Sequence, residues 1–595
     1  MALTKAHARM IEGAAVNVVD FGAVGDGVTD DTAAIQAAID ALSAGDVLHI
    51  PATASYYKIN ATQLSEALTV NKSLTIVLNG ELRGTTFANQ ANPPFVMNVT
   101  ADGVTIRGQG TFRGDGTVIQ TGSDNTHITG LLRIAADNVT VDGLSFIQSP
   151  QTAIFVNSGS NNVTVTNNVF KGYATSVSGG TQYYQVFFNV TSYGAIVSHN
   201  RFVEYDATHM AVQCISFSGG EHDHALITEN YGRAGLDQFT YANVINSVVS
   251  NNIVVNAIAA SNFDGIKLNG GYKNAVVGNS VDAKGGLQLL NQYDLTVVSN
   301  KINFSEGRGI YLYDNASSSD KNMNNIVVSS NVIVGEGTGA SGDVYSGITY
   351  IPVLASSNII IEGNILHNCG KNSNTEAAIR CQGTTGGVTN VTIRDNQITG
   401  DSNQYAIWLL DCDNVDVSDN KAIISGGAPS QYRPIHADSC DYVRIDGNYI
   451  KNENSASINM DVAIFVASSN YIINTNNVVL NWTRVGPGNY PWPSTAAAGS
   501  TNHGNQLATV ALNGTFTLAA AATTVVNNAN IFGTSTTNGD CIVELTPLNA
   551  AAATLMGSAK RLYVSAVSEG VSFTVATADG NNAAGTEVFA YRIMQ

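Results

Sequence analysis

Two aspartates on successive repeats of the chain have the residue type and spacing needed for acid–base chemistry. Asp237 and Asp264 each lie three residues before an outward-facing strand position, and neighbouring strands in a stack are about 4.8 Å apart. Two carboxylates this close repel each other, which raises the pKa of one of them. A protonated and an ionised carboxylate supply the acid and the base or nucleophile that cleave a glycosidic bond. The alternative, that these aspartates only form turns, stays open.

Two further charged residues are predicted near this pair. Glu306 precedes Arg308 by two residues, and Arg308 falls two repeats after Asp264 in the same column. Glu306 is therefore a third candidate carboxylate for catalysis. We expect the guanidinium of Arg308 to bind substrate or to tune the carboxylates, because a nearby cation favours their ionised form.

A column of large side chains is predicted beside these carboxylates. Each repeat contains a strand of the pattern small–apolar–X–apolar, such as Gly265-Ile266-Lys267-Leu268. The flanking apolar side chains face inward, so that X faces outward. In a chain with only 12% charged residues we expect Thr, Ser or Asn at X. The predicted column is instead Phe155, Phe187, Gln213, Thr240, Lys267, Gln288, Tyr311, Thr349, Arg380, Trp408, His436 and Phe465.

This mixture of aromatic, cationic and amide side chains predicts a binding surface for an elongated polar polymer. Aromatic faces stack on sugar rings, and cations pair with carboxylates or sulfates. The alternative is that the aromatic residues pack against a long loop or a neighbouring chain. The residues that we predict to bind substrate are Gln213, Lys267, Arg308, Tyr311, Arg380, Trp408 and His436.

These candidate residues are carried by a repeat that runs from about residue 162 to residue 477. Each repeat is an apolar alternation followed by Asn and another apolar residue, and successive repeats are 21 to 33 residues apart. The final Asn of each repeat falls at positions 168, 200, 230, 252, 279, 300, 331, 364, 396, 420, 448 and 477. Period-two alternation indicates strands, and a repeat of this length indicates stacked units. The sequence therefore predicts an all-β parallel β-helix in which these asparagines stack at one corner.

The segment before the solenoid predicts a cap. From Thr29 the pattern becomes helical, with apolar residues at 35, 38, 39 and 42 and a stop at Gly45. Residues 20–39 follow the phrase D-F-G-A-x-G-D-G-x-x-D-D-T-x-A-I-Q-x-A-I, which resembles the opening motif of the pectate-lyase-like superfamily, especially bacteriophage tailspikes. That resemblance implies a right-handed parallel β-helix. We interpret Asp26, Asp30 and Asp31 as turn and helix N-cap carboxylates.

The composition changes near the C-terminus. The Gly- and Pro-rich segment 486–493 interrupts the repeat, and Ala/Thr-rich strands follow from about residue 507. This part is similar to the C-terminal module of many phage tailspikes, which implies trimerisation. We expect a leader at residues 1–15, a capping helix with the first coils at 16–120, the main β-helix at 121–485, a linker at 486–506 and a β-sandwich at 507–595.

A second resemblance concerns Asp264. The segment Asn262-Phe263-Asp264-Gly265-Ile266 is similar to the N-T-D-G motif of polygalacturonases, which implies a catalytic role for Asp264. The paired aspartate of that family would fall at Lys284-Gly285 and is missing. The resemblance therefore leaves the partner carboxylate undetermined, and Asp237 on the preceding repeat is our substitute.

Charge and cysteine content exclude several classes of function. The net charge is −18 and no run of Lys or Arg occurs, which argues against nucleic acid. No apolar stretch approaches 18 residues, so we expect no membrane insertion, and residues 1–15 do not resemble a signal peptide. The six cysteines show no CxxC spacing, and we expect neither a metal nor a cofactor. Glu221-His222-Asp223-His224 is interpreted as a solvated turn.

Three functional hypotheses remain. The first is a phage tailspike depolymerase that hydrolyses a bacterial capsular or surface polysaccharide, forms a homotrimer, and attaches to a phage tail or baseplate adaptor. Such a protein would belong to the virion and act outside the bacterial cell. The second is a polysaccharide lyase, which needs a base such as Lys267, Arg308 or His436 for β-elimination. The third is a non-catalytic receptor-binding adhesin.

Overall fold

The computed structural model describes 15–62, 64–85, 94–115, 128–157, 159–171, 184–203, 213–232, 238–255, 264–314, 322–336, 346–370, 376–383, 387–400, 405–425, 433–453, 463–480, 501–503, 506–507, 513–528, 542–568 and 571–594. The chain divides into two compact units, residues 1–389 and 390–595. The architecture is all-β, with three long parallel sheets stacked as a β-helix, as the repeat predicts.

A short helix precedes the stacked strands, as predicted, but it starts later than expected. The helix spans Thr32–Asp40 and follows a 3-10 turn at Val18–Phe21. Asp31 is buried, and its carboxylate accepts hydrogen bonds from the backbone N–H groups of Val24 at 2.6 Å and Gly25 at 3.2 Å. These carboxylate contacts hold the Gly-rich turn, so the helix begins only after Asp31.

In the first unit the strands form three parallel sheets, one strand of each per coil. Sheet 1 comprises Val16–Asn17, Val47–Ile50, Thr75–Leu78, Thr105–Gly108, Thr140–Asp142, Thr164–Thr166, Ile196–Ser198, Leu226–Thr228, Val248–Ser250, Ala275–Val277, Leu295–Val298, Ile326–Ser329 and Ser356–Glu362. Sheet 2 comprises Tyr57–Ile59, Glu81–Gly84, Thr111–Arg113, Ser145–Ile147, Val169–Lys171, Arg201–Val203, Tyr231–Gly232, Ile253–Val255, Ser280–Ala283, Lys301–Phe304, Val332–Gly335 and Ile365–His367. Sheet 3 comprises Leu68–Val70, Phe95–Val99, Gly130–Ile134, Thr152–Val156, Tyr184–Phe188, Gln213–Asp223, Gln238–Ile245, Asp264–Tyr272, Gly285–Tyr293, Arg308–Tyr313, Ser346–Ile351 and Ala377–Gln382. A 3-10 turn also occurs at Leu64–Glu66.

The second unit contains parallel strands of the same three kinds. Its sheet 1 strands are Val388–Arg394, which begins just before the boundary, Cys412–Ser418, Asp441–Asp446, Asn470–Thr475 and Thr501–His503. Its sheet 2 strands are Gln397–Gly400, Lys421–Ile424, Tyr449–Asn452, Val478–Leu480 and Gln506–Leu507. Its sheet 3 strands are Tyr405–Leu410, Ile435–Asp438 and Ile464–Ala467.

The predicted asparagine corner is confirmed as a buried hydrogen-bonded ladder between sheets 1 and 2. The side chain of Asn279 shows the pattern: its Nδ2 donates to Val249 O at 2.9 Å and to Asn300 Oδ1 at 2.9 Å. Its Oδ1 accepts from the backbone N–H and the Nδ2 of Asn252 at 3.0 and 2.9 Å. A buried amide costs little free energy only when its groups are paired in this way.

The residue just before each ladder asparagine bends the backbone. At Asn251, Ser299 and Ser330 the φ angle is 54°, 57° and 57°, in the left-handed region. Asn and Asp tolerate this conformation, and Gly278 takes it without strain. The corner therefore turns the chain sharply from sheet 1 into sheet 2.

Inside the coils, side chains of the same type stack on one another from coil to coil. Phe112, Phe146, Phe170 and Phe202 occupy equivalent positions of sheet 2, and their ring centroids are 5.3, 5.0 and 4.8 Å apart. All four rings are buried. Each buried ring removes apolar area from water, which stabilises the fold by about 2 kcal/mol.

The C-terminal strands form two small antiparallel sheets, which agrees with the predicted β-sandwich. One sheet has the order Asn513–Thr517, Val588–Met594, Ile542–Pro547, and the other Thr523–Asn527, Ser572–Thr577, Leu562–Ser568. A helix at Ala550–Met556 packs beside them, capped by Asn549, whose Oδ1 accepts from the N–H of Ala552 at 2.8 Å. Phe573 and Phe589 are fully buried between these elements.

The end of the predicted linker requires a correction. Thr501–His503 pairs in parallel with the strand at residues 470–475, and Gln506–Leu507 pairs with the strand at 478–480. Part of the 486–506 range therefore belongs to the stacked strands. The physical reason is that the last coil leaves open backbone groups at its edge, which a following extended segment can pair.

Candidate functional site

The outer face of sheet 3 in the first unit carries most of the predicted site residues. On several of its strands, two side chains three residues apart lie on this face. Tyr184 stacks on Phe187 at 4.2 Å, and the guanidinium of Arg308 lies 4.1 Å from the ring of Tyr311. Positions one and four of the strand therefore share this face, whereas the fifth position, such as Leu312, is buried inside.

Glycine at the second strand position explains the small residue in the predicted pattern. A Cβ at Gly265 would lie 2.3 Å from Val281 Cγ1, and one at Gly309 would lie 2.5 Å from Ile333 Cγ2. At Gly286 a Cβ would lie 2.0 Å from a backbone oxygen of the next coil. The backbone at this position lies against side chains of sheet 2, which leaves no room for a Cβ.

Strand pairing corrects two members of the predicted column. Phe187 pairs with Ser216 rather than with Gln213, and Lys267 pairs with Tyr241 rather than with Thr240. Because every residue of the segment 213–217 is buried, period-two alternation gives no signal for the register there. Gln213 is instead at position one, where its Nε2 donates to Gln238 Oε1 at 2.9 Å.

The aromatic residues at the start of the column are buried. Phe155 and Phe187 pack in one cluster with Phe95 and Tyr184, and Ala67 and Ile128 also contribute to that cluster. The ring centroids of Phe155 and Phe187 are 5.7 Å apart. This arrangement matches the alternative interpretation, in which the aromatic residues pack against neighbouring segments rather than against a ligand.

The middle of the face is partly exposed and polar. Lys267 Nζ lies 5.7 Å from the ring of Tyr241, whose hydroxyl accepts a hydrogen bond from Asn269 Nδ2 at 2.8 Å. Gln288 lies beside Lys267 on the next coil, and its Oε1 has no hydrogen-bond partner among the described residues. This part therefore offers an aromatic face, a cation and an amide to a ligand.

An arginine cluster follows on the next coils. Arg308 Nη2 lies 3.2 Å and Arg380 Nη1 lies 3.0 Å from the same oxygen, Oε1 of Glu376. The hydroxyl of Ser346 donates to the other carboxylate oxygen of Glu376. The Glu376 side chain is only 3% exposed, whereas those of Arg308 and Arg380 are 22% and 12% exposed. The buried carboxylate thus holds two guanidinium groups, and that of Arg308 lies against the ring of Tyr311.

Sequence reasoning missed Glu376 because it searched for carboxylates in the strand columns. Glu376 lies just before the strand that starts at Ala377. Its spacing of four residues from Arg380 was the available signal, since a Glu–Arg pair at short range usually pairs its charges. With two arginines and a serine around it, this carboxylate positions the cations.

The predicted aspartate pair stays a prediction, and only the strand register of Asp264 is described. The backbone of Asp264 pairs with Gln238 on the preceding coil and with Gly285 on the next. Asp237 lies outside the described residues. The residue opposite Asp264 is therefore the amide Gln238. The predicted column had placed Thr240 beside Lys267, one residue before the observed partner Tyr241.

Glu306 is placed in the turn that precedes the strand at Arg308. Its Oε2 accepts from Lys284 Nζ at 2.8 Å, and its side chain is 44% exposed. The backbone N–H of Glu306 donates to Lys284 O at 2.9 Å. The ion pair and the exposure give Glu306 a surface environment rather than a shielded one.

The predicted residues Trp408 and His436 form a cluster in the second unit. Their ring centroids are 6.2 Å apart, and Tyr405 lies 5.0 Å from each of them. Burial, with a smaller effect of nearby Arg433, lowers the pKa of His436 to about 3. Phe465 completes the cluster edge-on to His436 at 4.9 Å. His436 is therefore neutral at pH 7 and packs among aromatic rings.

The histidine-rich motif at 221–224 was interpreted wrongly as a solvated turn. Its first three residues end the strand Gln213–Asp223, and His222 is fully buried. The Nδ1 of His222 is hydrogen-bonded to Ser192 Oγ at 2.8 Å, and burial lowers its pKa to about 4. Within the described residues no group of three or more His, Cys, Asp or Glu could hold a metal ion. No helix of that part of the chain is long and apolar enough to cross a membrane.

Comparison with known proteins adds short or distant likenesses. No family model matches the chain. A segment of 38 residues is 68% identical to the mannuronan C5-epimerase AlgE1 of Azotobacter vinelandii, and 65 residues are 48% identical to AlgE3 of the same organism. These segments cover 6% and 10% of this chain, which spans about 3% of the length of each of these curated relatives.

Among solved structures the fold is similar to a tailspike and to an adhesin. The tailspike of Escherichia coli bacteriophage HK620, solved as a mutant with a pentasaccharide, is 14% identical, with 98% of this chain and 94% of that chain covered and a TM-score of 0.44. The surface adhesin PfbA of Streptococcus pneumoniae is 16% identical, with 78% and 100% covered and a TM-score of 0.37. At these values neither likeness identifies a function, and the parallel β-helix rests on the strand pairing of the chain itself.

Proposed function

We propose that this protein is a tailspike-type depolymerase that binds an acidic bacterial surface polysaccharide along the outer face of sheet 3 and cleaves its glycosidic bonds. The observation that carries the proposal is the arginine cluster, in which the buried Glu376 holds Arg308 and Arg380, with Arg308 beside Tyr311. The resemblance of residues 20–39 to the opening motif of tailspikes supports the same conclusion.

The charges on this face favour an acidic glycan. Glu376 neutralises one of its two arginines, and Lys267 adds a further cation directly beside Gln288 of the next coil. The Nε of Arg308 and the Oε1 of Gln288 are buried and have no hydrogen-bond partner in the described part of the chain. The carboxylates of an acidic ligand could pair with the exposed parts of the Arg308 and Lys267 side chains, and a sugar ring could stack on the ring of Tyr241.

Hydrolysis is the leading cleavage chemistry. The backbone of Asp264 is at position one of its strand, three residues before Lys267, and pairs with Gly285 on the next coil. We assign Asp264 the role of the carboxylic acid that protonates the leaving oxygen, and water or a second carboxylate completes the displacement. Asp237 and Glu306 stay candidates for the second carboxylate.

β-Elimination is the second candidate, and a specific observation favours it. The guanidinium of Arg308 lies 4.1 Å from the ring of Tyr311, and Arg380 shares the carboxylate that holds Arg308. In this candidate the Tyr311 hydroxyl is the group that removes the proton next to a uronate carboxylate. In this chemistry the arginines would also neutralise the uronate.

The test measures reducing ends and the ultraviolet absorbance of unsaturated uronates on a panel of purified bacterial capsules. Hydrolysis predicts reducing ends without new absorbance, lost in Asp264→Asn and retained in Tyr311→Phe. Elimination predicts new absorbance, lost in Tyr311→Phe. Binding without cleavage in the unaltered protein would favour the adhesin, and full activity of Arg308→Gln would contradict the proposed site.

The assembly of the protein is part of the same proposal. We infer a homotrimer attached to a phage tail or baseplate adaptor, acting outside the bacterial cell. The C-terminal antiparallel sheets at 513–594 support it, because the resembling module in tailspikes implies trimerisation. Sedimentation of the full chain measures the oligomeric state directly.

A further inference from the structure

A groove on the outer face of sheet 1 in the second unit shares no residue with the predicted site. Its volume is about 570 Å³, within the range of sites that hold small molecules. Apolar and polar side chains both line it, among them Asn414, Asp416, Tyr442, Arg444 and Ile473.

The groove arises where the corner between sheets 3 and 1 changes its residue type. Asn390 and Asn414 hold this corner on two coils, with φ angles of 57° and 52°. Tyr442 and Tyr471 hold it on the next two, with φ angles of 57° and 55°. Left-handed backbone suits asparagine, and for a bulky side chain it is an outlier. Two tyrosines in succession thus occupy a position that the backbone disfavours.

The tyrosine rings are exposed and stacked. Their centroids are 4.7 Å apart with an interplanar angle of 3°, and Tyr442 and Tyr471 are 59% and 50% exposed. Val415 pairs with Val443, so Asn414 is the corner residue one coil before Tyr442. Since asparagine is shorter than tyrosine, the ring face of Tyr442 turned away from Tyr471 is left open above the groove.

Polar groups border this open ring face. Arg444 Nη1 lies 3.1 Å from Asp416 Oδ1, and Arg444 also pairs with Asp446. The Arg444 side chain is 47% exposed and can still donate to a ligand. One arginine faces two aspartates, so the groove has no excess positive charge for an acidic ligand. Exposed Ile473 adds an apolar surface on the next coil.

We propose that this groove is a second glycan-binding site, which takes a neutral pyranose ring stacked on Tyr442 with hydroxyls bonded to Arg444 and Asp416. An aromatic face suits the C–H surface of a sugar ring, and the paired charges suit hydroxyls. This second site is additional to the proposed function. It rests on that function only because both sites are proposed to bind glycans. The second unit would therefore bind neutral sugars without cleaving them.

The matched variants are Tyr442→Asn and Tyr442→Phe in the full chain. Asparagine already holds this corner at positions 390 and 414, so Tyr442→Asn should fold with equal or higher thermal stability. Saturation-transfer NMR and titration would use maltohexaose, cellohexaose and mannohexaose as neutral probes and an alginate hexasaccharide as the acidic probe. We expect Tyr442→Asn to weaken neutral binding about tenfold and Tyr442→Phe to retain it.

Arg308→Gln separates this site from the proposed function. It should impair the acidic-polymer activity of the first unit and leave neutral binding unchanged. If the protein binds the neutral oligosaccharides but cleaves no capsule, the second glycan-binding site is supported and only the proposed depolymerase activity is contradicted. Three results would each contradict the second glycan-binding site. They are no binding of the neutral oligosaccharides, an unchanged affinity for them in Tyr442→Asn, and loss of that binding in Arg308→Gln.

Discussion

The asparagine corner and the outer face of sheet 3 are built on the same coils, yet they use their side chains in opposite ways. At the corner one residue type recurs, and Asn252, Asn279 and Asn300 satisfy one another through identical bonds. On the outer face the residue type changes at each coil, from Lys267 to Gln288 to Tyr311. Repetition therefore maintains the stack, and departure from repetition marks surfaces available to a ligand.

The largest expected effect comes from the buried charge on the outer face. Glu376→Ala leaves Arg308 and Arg380 partly buried beside each other without their carboxylate. We expect the free energy of unfolding to fall by about 4 kcal/mol, and polysaccharide binding to weaken with it. Chemical denaturation and a capsule-binding assay measure the two effects. A stable Glu376→Ala protein with unchanged binding would contradict the positioning role.

The corner should respond to Asn279→Ala almost as strongly. The change removes four hydrogen bonds, which Val249 O, the side-chain amides of Asn252 and Asn300, and the backbone N–H of Asn252 make with the Asn279 side chain. We expect a loss of about 3 kcal/mol in stability with unchanged ligand affinity. Asn325→Gly is the matched control, because Asn325 is an exposed corner residue with a φ of 56°. If both variants lowered the stability equally, the buried asparagine ladder would be no more important for stability than the exposed corner residue Asn325.

Acid should destabilise the first unit through His222. Its folded pKa of about 4 is below the ordinary value of 6.5, so the unfolded chain binds the proton first. The stabilisation that comes from keeping His222 neutral is complete above pH 6.5 and decreases as the pH falls. At pH 4 this group has lowered the free energy of unfolding by about 3 kcal/mol. Thermal unfolding from pH 7 to pH 4 measures it. His222→Gln should have a flatter pH profile, and an equally steep profile would exclude His222 as the cause.

The smallest effect is expected at Lys267, a single half-exposed cation. Lys267→Gln should weaken binding of an acidic polysaccharide about threefold at low salt, and the difference should vanish at high salt. Isothermal titration at two ionic strengths provides the measurement, with Lys451→Gln, a cation paired with Glu453, as the control. Loss of affinity that does not depend on salt would show that Lys267 contributes packing rather than charge.

Sequence reasoning predicted the coils better than the site. The periodic asparagines and the small–apolar–X–apolar strands are local patterns, and both were found where expected. The assignments of Gln213 and Thr240 were wrong because the flanking residues are apolar on both strand faces, so only pairing with Phe187 and Lys267 selects the register. Glu376 was missed because its partner Arg308 is 68 residues away in the chain.

The sequence by itself determined that this chain forms stacked parallel strands with an asparagine corner, since each repeat contains the same local signals. Only the tertiary structure decided which side chains meet across coils. The repeats differ in length, from 21 to 33 residues, so the partner of a residue on the next coil cannot be found by counting along the chain. Glu376 reaches two arginines, and Tyr442 exposes a ring face, because of the coils that stack beside them.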